Sequence, residues 1–137
     1  EKPHTLNLKK TELSTSAASS LPTVLVVDDS ALIRKMLIKL LNENGYQVVG
    51  EATNGEEGVE LYKELEPDIV TLDITMPVMD GVTALKKIKE YDPEAMVAMI
   101  SAAGQKDKLM DALREGAELF FTKPFNAQEV ISSLRSS

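Results

Sequence analysis

The chain contains no cysteine, no tryptophan and a single histidine, His4. Without cysteine it can form neither a disulfide framework nor a thiolate metal site. A Ser-His-Asp hydrolase needs a histidine next to its nucleophile, and here that histidine would have to come from the extreme N-terminal stretch. The composition therefore argues against several catalytic classes before any motif is considered.

The chain also lacks long apolar runs, an excess of basic residues and a glycine-rich loop. No run is long enough to cross a bilayer and no secretory segment is recognisable, so we expect a cytoplasmic protein without membrane insertion. The net charge of -7 argues against direct nucleic-acid binding, because phosphate backbones attract basic surfaces. A dinucleotide site would need glycines after the first strand, where this chain has Asp28, Asp29 and Ser30. We expect the partners to be proteins or cations.

The composition and the hydrophobic periodicity of the chain change near residue 21. Residues 1–21 mix Ser, Thr and Ala without sustained periodicity, which is typical of a tail or linker. From residue 22 onward, strand-like and helix-like patterns alternate, and the 43% hydrophobic content is enough for a domain with a real core. We predict an N-terminal tail over 1–21 and one domain over 22–137.

Five short apolar runs bounded by turn residues are predicted to be β-strands. They cover residues 24–27, 47–52, 69–72, 96–100 and 119–122. Apolar residues at helical spacing predict helices over 30–44, 54–65, 83–91, 107–115 and from 126 onward. This alternation predicts an α/β fold with a doubly wound, five-stranded parallel sheet covered by helices on both faces. The flavodoxin-like strand order 2-1-3-4-5 is the most economical arrangement.

Polar side chains follow four of these strands. Asp28 and Asp29 follow strand 1, Asp73 follows strand 3, Ser101 follows strand 4 and Lys123 follows strand 5. In open α/β sheets the carboxyl ends of parallel strands share one edge, where ligands bind. We therefore expect these five side chains to meet at one site.

The predicted site is suited to phosphoryl chemistry. Three carboxylates placed together repel one another, and a hard divalent cation such as Mg²⁺ would relieve that repulsion. An ammonium from Lys123 and a hydroxyl from Ser101 could hold the oxygens of a phosphoryl group. Because a carboxylate can act as a nucleophile and form an aspartyl phosphate, the pattern favours Asp73 as a phosphoryl acceptor.

Four motifs, present together and in order, connect the chain to a known family. They are Val27-Asp28-Asp29, Asp73-x-x-Met76-Pro77-x-x-Asp80-Gly81, Ser101-Ala102 and Lys123-Pro124-Phe125. With these motifs, residues 22–134 resemble a receiver domain of bacterial two-component response regulators, and most closely the single-domain chemotaxis regulators (CheY-like). Each motif is weak alone, but the full set is highly specific.

The resemblance implies roles for the acidic residues. Asp73 would accept a phosphoryl group from a sensor histidine kinase. Asp29 and Asp73 would bind Mg²⁺ together with the backbone carbonyl of Thr75, and Asp28 would act through a metal-bound water. The domain would assist its own phosphorylation and dephosphorylation without being a classical enzyme.

The resemblance also implies how a signal leaves the site. Ser101 and Lys123 would bind the phosphoryl oxygens, and Phe120 would be the aromatic switch residue. Ser101 stands where Thr is commoner in the family, and Phe120 where Tyr is frequent. The resemblance further predicts a cis Lys123-Pro124 peptide bond, which would aim the lysine at the site.

The implied partners are proteins. They are a histidine kinase, a downstream target such as the flagellar motor switch, and a phosphatase. The target would bind the face formed by helix 4, strand 5 and helix 5, and the pathway would be chemotaxis. The alternative is a receiver-like interaction module that binds its partner without phosphorylation, although the complete acidic set with Ser101 and Lys123 argues against it.

Overall fold

The computed structural model of the protein describes residues 21–136. Over these residues five strands alternate with five helices. The strands are β1 Thr23–Val27, β2 Gln47–Ala52, β3 Ile69–Asp73, β4 Met96–Ser101 and β5 Leu119–Thr122. The helices are α1 Ala31–Glu43, α2 Gly55–Leu65, α3 Gly81–Tyr91, α4 Lys106–Arg114 and α5 Ala127–Arg135. The tail predicted over 1–21 lies outside the described residues except for its last residue.

The strands form one sheet in the order β2-β1-β3-β4-β5, and every neighbouring pair is parallel. The predicted order and the predicted parallel arrangement are both confirmed. Because β1 and β3 are direct neighbours, with Val27 opposite Leu72, the residues that follow these two strands emerge side by side. This adjacency is the topological switch point at which open α/β sheets bind ligands.

Two apolar clusters, one on each face of the sheet, make up the core. Alternate residues of β1 enter different clusters, Leu25 and Val27 on one face and Val24 and Val26 on the other, as the two-residue period of a strand requires. The first cluster includes buried residues of α2, α3 and α4, and the second includes buried residues of α1 and α5. The sheet is therefore covered on both sides, as the sequence predicts for a doubly wound fold.

Short polar side chains begin four of the five helices. Each accepts a hydrogen bond from the backbone N–H three residues later, and these N-caps are Ser30, Asn54, Asp80 and Asn126. The predicted start of α3 at residue 83 is two residues late, because Asp80 is the N-cap and Gly81 is already helical. No helix among residues 21–136 is long and apolar enough to cross a membrane.

Candidate functional site

Asp28, Asp29 and Asp73 converge at the carboxyl edge of the sheet. Each contributes one carboxylate oxygen to a group in which all three atoms lie within 4.8 Å of one another. Asp28 and Asp73 are only 1% and 5% exposed, whereas Asp29 is open to solvent. Charged groups so close together, two of them buried, need a compensating cation. The oxygen-only donor set suits a hard divalent ion such as Mg²⁺.

Lys123 supplies one positive charge to this cluster. Its Nζ lies 3.1 Å from Asp28 Oδ2 and 3.3 Å from Asp73 Oδ1. Three carboxylates and one ammonium leave an excess of two negative charges, which is the charge that one divalent cation would neutralise.

Local backbone contacts hold Asp28 and Lys123 in these positions. Asp28 Oδ1 accepts a hydrogen bond of 2.8 Å from Ser30 N–H, which orients the carboxylate at the start of α1. Lys123 N–H donates to the carbonyl of Ser101 at 2.7 Å and so extends the β4–β5 ladder to the site. The Lys123-Pro124 peptide bond is cis, as predicted.

Burial and charge raise the pKa of Asp73 to about 6. Burial is the largest cause and repulsion from Asp28 adds to it, while Lys123 opposes both. Burial acts to lower the pKa of Lys123, but its contacts with Asp28 and Asp73 outweigh burial and raise that pKa above its usual value. At neutral pH the site therefore holds an ionised Asp73 next to a protonated Lys123.

Ser101, Thr75 and Phe120 occupy three different positions around the cluster. Ser101 is buried at the end of β4, and Thr75 is exposed two residues after Asp73. Phe120 is half-buried on β5 opposite Met99 and packs against the apolar cluster that α3 and α4 share. These placements fit the roles that the sequence resemblance implies for the three residues, which remain predictions.

Arg34 stabilises the backbone of the site, a role that no sequence pattern indicates. Its Nη1 donates a hydrogen bond of 2.8 Å to the carbonyl of Asp28, and its Nε lies 2.8 Å from Glu51 Oε1. Arg34 therefore ties the β1–α1 loop to β2. Asp28 is a local partner, 6 residues away, but Glu51 is 17 residues away along the chain, and only the pairing of β1 with β2 brings it to Arg34.

Gln105 is a second residue that the sequence pattern does not reveal. Its Oε1 accepts a hydrogen bond of 2.7 Å from Ala102 N–H, and its Nε2 donates to Thr75 Oγ1. The side chain thus joins the loop after β4 to the loop after β3. A glutamine before a helix carries no recognisable signal, since its partners depend on how the two loops fold.

Val78, in the loop that follows Asp73, has an unfavourable backbone conformation. Its φ is +69°, in the left-handed region, where β-branched residues are genuine outliers. The turn is closed by a hydrogen bond of 2.7 Å from Met79 N–H to the carbonyl of Pro77. The side chain is 75% exposed, so the packing it provides cannot offset the strain.

Replacing Val78 with Asn is expected to stabilise the protein by about 1 kcal/mol, because Asn tolerates the left-handed region far better than Val. The measurement is the free energy of unfolding in urea. Val78→Thr is the matched control, since it keeps the β-branch and the strain and should leave stability within about 0.5 kcal/mol of the parent. An Asn variant no more stable than the Thr variant would show that the loop relaxes without strain.

Comparison with known proteins gives a consistent result for this domain. A family model described as the response regulator receiver domain matches residues 24–135. The chemotaxis protein CheY of Bacillus subtilis is 49% identical over 114 residues, which cover 83% of this chain and 95% of that protein. CheY of Thermotoga maritima is 50% identical over 111 residues, which cover 81% of this chain and 92% of that protein.

A solved structure with the same fold comes from Borrelia burgdorferi. It is described as a crystal structure of the CheX-CheY-BeF3-Mg+2 complex, and the aligned chain is 43% identical with a TM-score of 0.79. The alignment covers 83% of this chain and 87% of that one. The likeness therefore extends over nearly the whole of both domains.

Proposed function

This chain belongs to the response regulator receiver domain family, and from that premise we propose that Asp73 accepts a phosphoryl group from a sensor histidine kinase. Members of the family are signalling domains rather than classical enzymes. The observation that carries the proposal is the contact of 3.3 Å between Lys123 Nζ and Asp73 Oδ1, inside a cluster of three carboxylates. A buried nucleophilic carboxylate with a cation next to it can receive an anionic group.

The acidic cluster fits Mg²⁺ as the cofactor. We assign Asp29, Asp73 and the backbone carbonyl of Thr75 as ligands, with Asp28 acting through a metal-bound water. The excess of two negative charges and the close approach of the three carboxylates support this assignment. Bound Mg²⁺ would offset the charge of the phosphoryl group and of the carboxylates around it.

The residues of the chain perform the transfer by position and charge. The ionised Asp73 carboxylate attacks phosphorus, so that an O–P bond forms while the P–N bond to the donor histidine breaks. Lys123 stays protonated, because its pKa is raised, and it holds one phosphoryl oxygen while the Ser101 hydroxyl donates to another. Phosphorylation therefore replaces the Lys123 to Asp73 ion pair with contacts to the new group.

We assign the output to the face formed by α4, β5 and α5. Ser101 and Phe120 lie on neighbouring strands, where Ser101 is opposite Thr122 and Met99 is opposite Phe120. A Ser101 hydroxyl drawn toward the phosphoryl group vacates space into which Phe120 can rotate. This is a two-state element biased by one local charge event, and the affected surface includes Ala103, Lys108, Phe120 and Gln128.

We place the protein in a chemotaxis pathway in the cytoplasm. Its relatives in Bacillus subtilis and Thermotoga maritima carry the name chemotaxis protein CheY, and the match covers 95% and 92% of their lengths. The partners would then be a histidine kinase, the flagellar motor switch and a phosphatase. The CheX-CheY-BeF3-Mg+2 complex of Borrelia burgdorferi supports a protein partner, Mg²⁺ and a phosphoryl group as ligands of this chain.

The test is incubation with a small-molecule phosphoryl donor in Mg²⁺ or in a chelator, followed by mass spectrometry of the intact protein and its peptides. We expect one phosphoryl group on the peptide that contains Asp73, and none when Mg²⁺ is removed or in Asp73→Asn. Asp80→Asn is the matched control, because Asp80 lies in the same loop but only caps α3, and Asn caps equally well. A wild-type protein that takes up no phosphoryl group would favour an interaction module that works without phosphorylation.

A further inference from the structure

The side chain of Gln105 does not cap its helix, unlike the side chains of the other four N-cap residues. It precedes α4 at the position where Ser30, Asn54, Asp80 and Asn126 cap their helices, yet it makes no capping hydrogen bond. Its amide folds back instead, accepting from Ala102 N–H at 2.7 Å and donating to Thr75 Oγ1. The side chain therefore contacts the loops after β3 and β4 and not the first turn of α4.

These contacts span the gap between the ends of β3 and β4. Ala102 directly follows Ser101, and Thr75 comes two residues after Asp73. The two strands are paired up to Asp73 and Ile100, so the loops that follow them start side by side. The Gln105 amide thus connects the two loops on either side of the acceptor carboxylate.

The bond to Gln105 occupies a backbone donor at the edge of the sheet where a phosphoryl group on Asp73 would lie. A phosphoryl group on Asp73 would bring three strong acceptor oxygens to this edge, and Ala102 N–H is the backbone donor next to Ser101. While Gln105 Oε1 accepts from that N–H, the donor is not available. The two acceptors therefore compete for one hydrogen.

We propose that Gln105 is a clasp that holds the β4–α4 loop in its unphosphorylated arrangement, and that phosphorylation of Asp73 must open it. The inference rests on the proposed function of Asp73. Gln105 is then a positioning residue, since it acts through Ala102 and Thr75 rather than on the phosphoryl group. Opening the clasp frees Ala102 N–H and releases the loop that leads into α4.

The loop is held by the clasp more than by packing. Ala102, Ala103 and Gly104 are all exposed, and a Cβ built on Gly104 would meet no atom within 4 Å. Next to the loop lies an open cavity of about 170 Å³ lined by Ser101, Leu109 and Thr122 together with residues 102–105 of the loop and Lys106 at the start of α4. The loop therefore has room to move once the two hydrogen bonds break.

Amide hydrogen exchange tests the clasp without any phosphoryl chemistry. In the full chain, Ala102 N–H is expected to exchange roughly three- to tenfold faster in Gln105→Ala than in wild type, the factor that corresponds to one net hydrogen bond. Gln47→Ala is the matched control, because Gln47 is an exposed glutamine on the distant edge strand β2. Unchanged exchange at Ala102 in Gln105→Ala would overturn the proposal.

Affinity for beryllium trifluoride with Mg²⁺ tests the coupling to phosphorylation. Removing a clasp that competes with the bound state should tighten mimic binding, by roughly three- to tenfold in Gln105→Ala. Thr75→Val removes only one of the two hydrogen bonds and should give a smaller gain. Equal or weaker binding by Gln105→Ala would overturn the clasp. A wild-type protein that binds no mimic would instead overturn the proposed function and the coupling with it, while the exchange experiment would still decide whether the hydrogen bond exists.

Discussion

Replacing Asp73 with Asn is expected to raise the free energy of unfolding of the metal-free protein by about 2 kcal/mol at pH 7. In the folded protein, burial and repulsion from Asp28 raise the pKa of Asp73 from 3.8 to about 6. At about 1.36 kcal/mol per pKa unit the shift corresponds to at most about 3 kcal/mol, and nearby solvent reduces it. Asn keeps the shape of the side chain but has no charge to bury. The buried negative charge of Asp73 therefore lowers the stability of the folded protein.

The pH dependence of the stability difference between wild type and Asp73→Asn follows from the upward shift of the Asp73 pKa. Between about pH 4 and pH 6 the folded protein binds a proton at Asp73 more tightly than the unfolded chain does, since its folded pKa is about 6 against an ordinary value of 3.8. The contribution of Asp73 to stability therefore decreases as pH rises through that window. The advantage of Asp73→Asn should be largest above about pH 6 and should vanish near pH 4.

Urea denaturation in a chelator from pH 4 to pH 8 would measure this effect. Asp29→Asn is the control, because its carboxylate belongs to the same cluster but is exposed and should change stability by less than about 1 kcal/mol. Saturating Mg²⁺ should stabilise wild type by mass action and narrow the difference from Asp73→Asn. If Asp73→Asn proves no more stable than wild type at pH 7, the repulsion between the carboxylates is already relieved by local rearrangement.

Replacing Gly81 with Ala is expected to destabilise the protein by about 3 kcal/mol, because the added methyl group has no space. A Cβ built on Gly81 would lie 2.2 Å from the carbonyl oxygen of Asp73 and 2.9 Å from the Cα of Ile74. Both are backbone atoms, so no side-chain rotation can make room. Gly81 N–H also donates to the carbonyl of Ile74 at 2.7 Å, which holds α3 against the end of β3.

The clash should also disturb the site, since the atom displaced belongs to Asp73 itself. We expect Gly81→Ala to weaken beryllium trifluoride binding beyond what its lower stability explains, and a titration at a temperature where the variant is fully folded would measure that. Gly50→Ala is the control, because the only atom closer than 3 Å to a Cβ there is the terminal methyl of Leu65, an exposed side chain that can move aside, and the change should cost about 1 kcal/mol or less. Equal losses of stability and of beryllium trifluoride affinity in Gly81→Ala and Gly50→Ala would mean that the start of α3 moves freely to accommodate the methyl group.

The features that the sequence predicted correctly depend on short stretches of chain. The predicted range for β2 agrees with the structure, and the helix predicted over 54–65 begins at its N-cap Asn54 and ends at Leu65. Hydrophobic periodicity and capping chemistry involve residues within about four positions of one another, so they can be read without knowledge of the fold. The predicted strand order also held, because short right-handed connections leave few alternatives.

The convergence of the candidate site could also be anticipated, but its energetics could not. The carboxyl ends of parallel strands must share one edge, which brings Asp28 and Asp73 together once β1 and β3 are neighbours. The direction and size of the pKa shift of Asp73 depend on burial and on the balance between Asp28 and Lys123. Those quantities exist only after distant segments have packed.

The helices and strands, their order in the sheet and the polar residues at its edge can all be inferred from the amino-acid sequence, because each follows from local pattern and from the rules of chain connection. The residues that support the site become visible only in the folded protein. Arg34 donates a hydrogen bond to Glu51, which is 17 residues away along the chain, and Gln105 donates one to Thr75, which is 30 residues away. Gly81 has no room for a methyl group because α3 begins against the end of β3. Such contacts depend on the distances between loops that the sheet brings together, and no local pattern of residues encodes those distances.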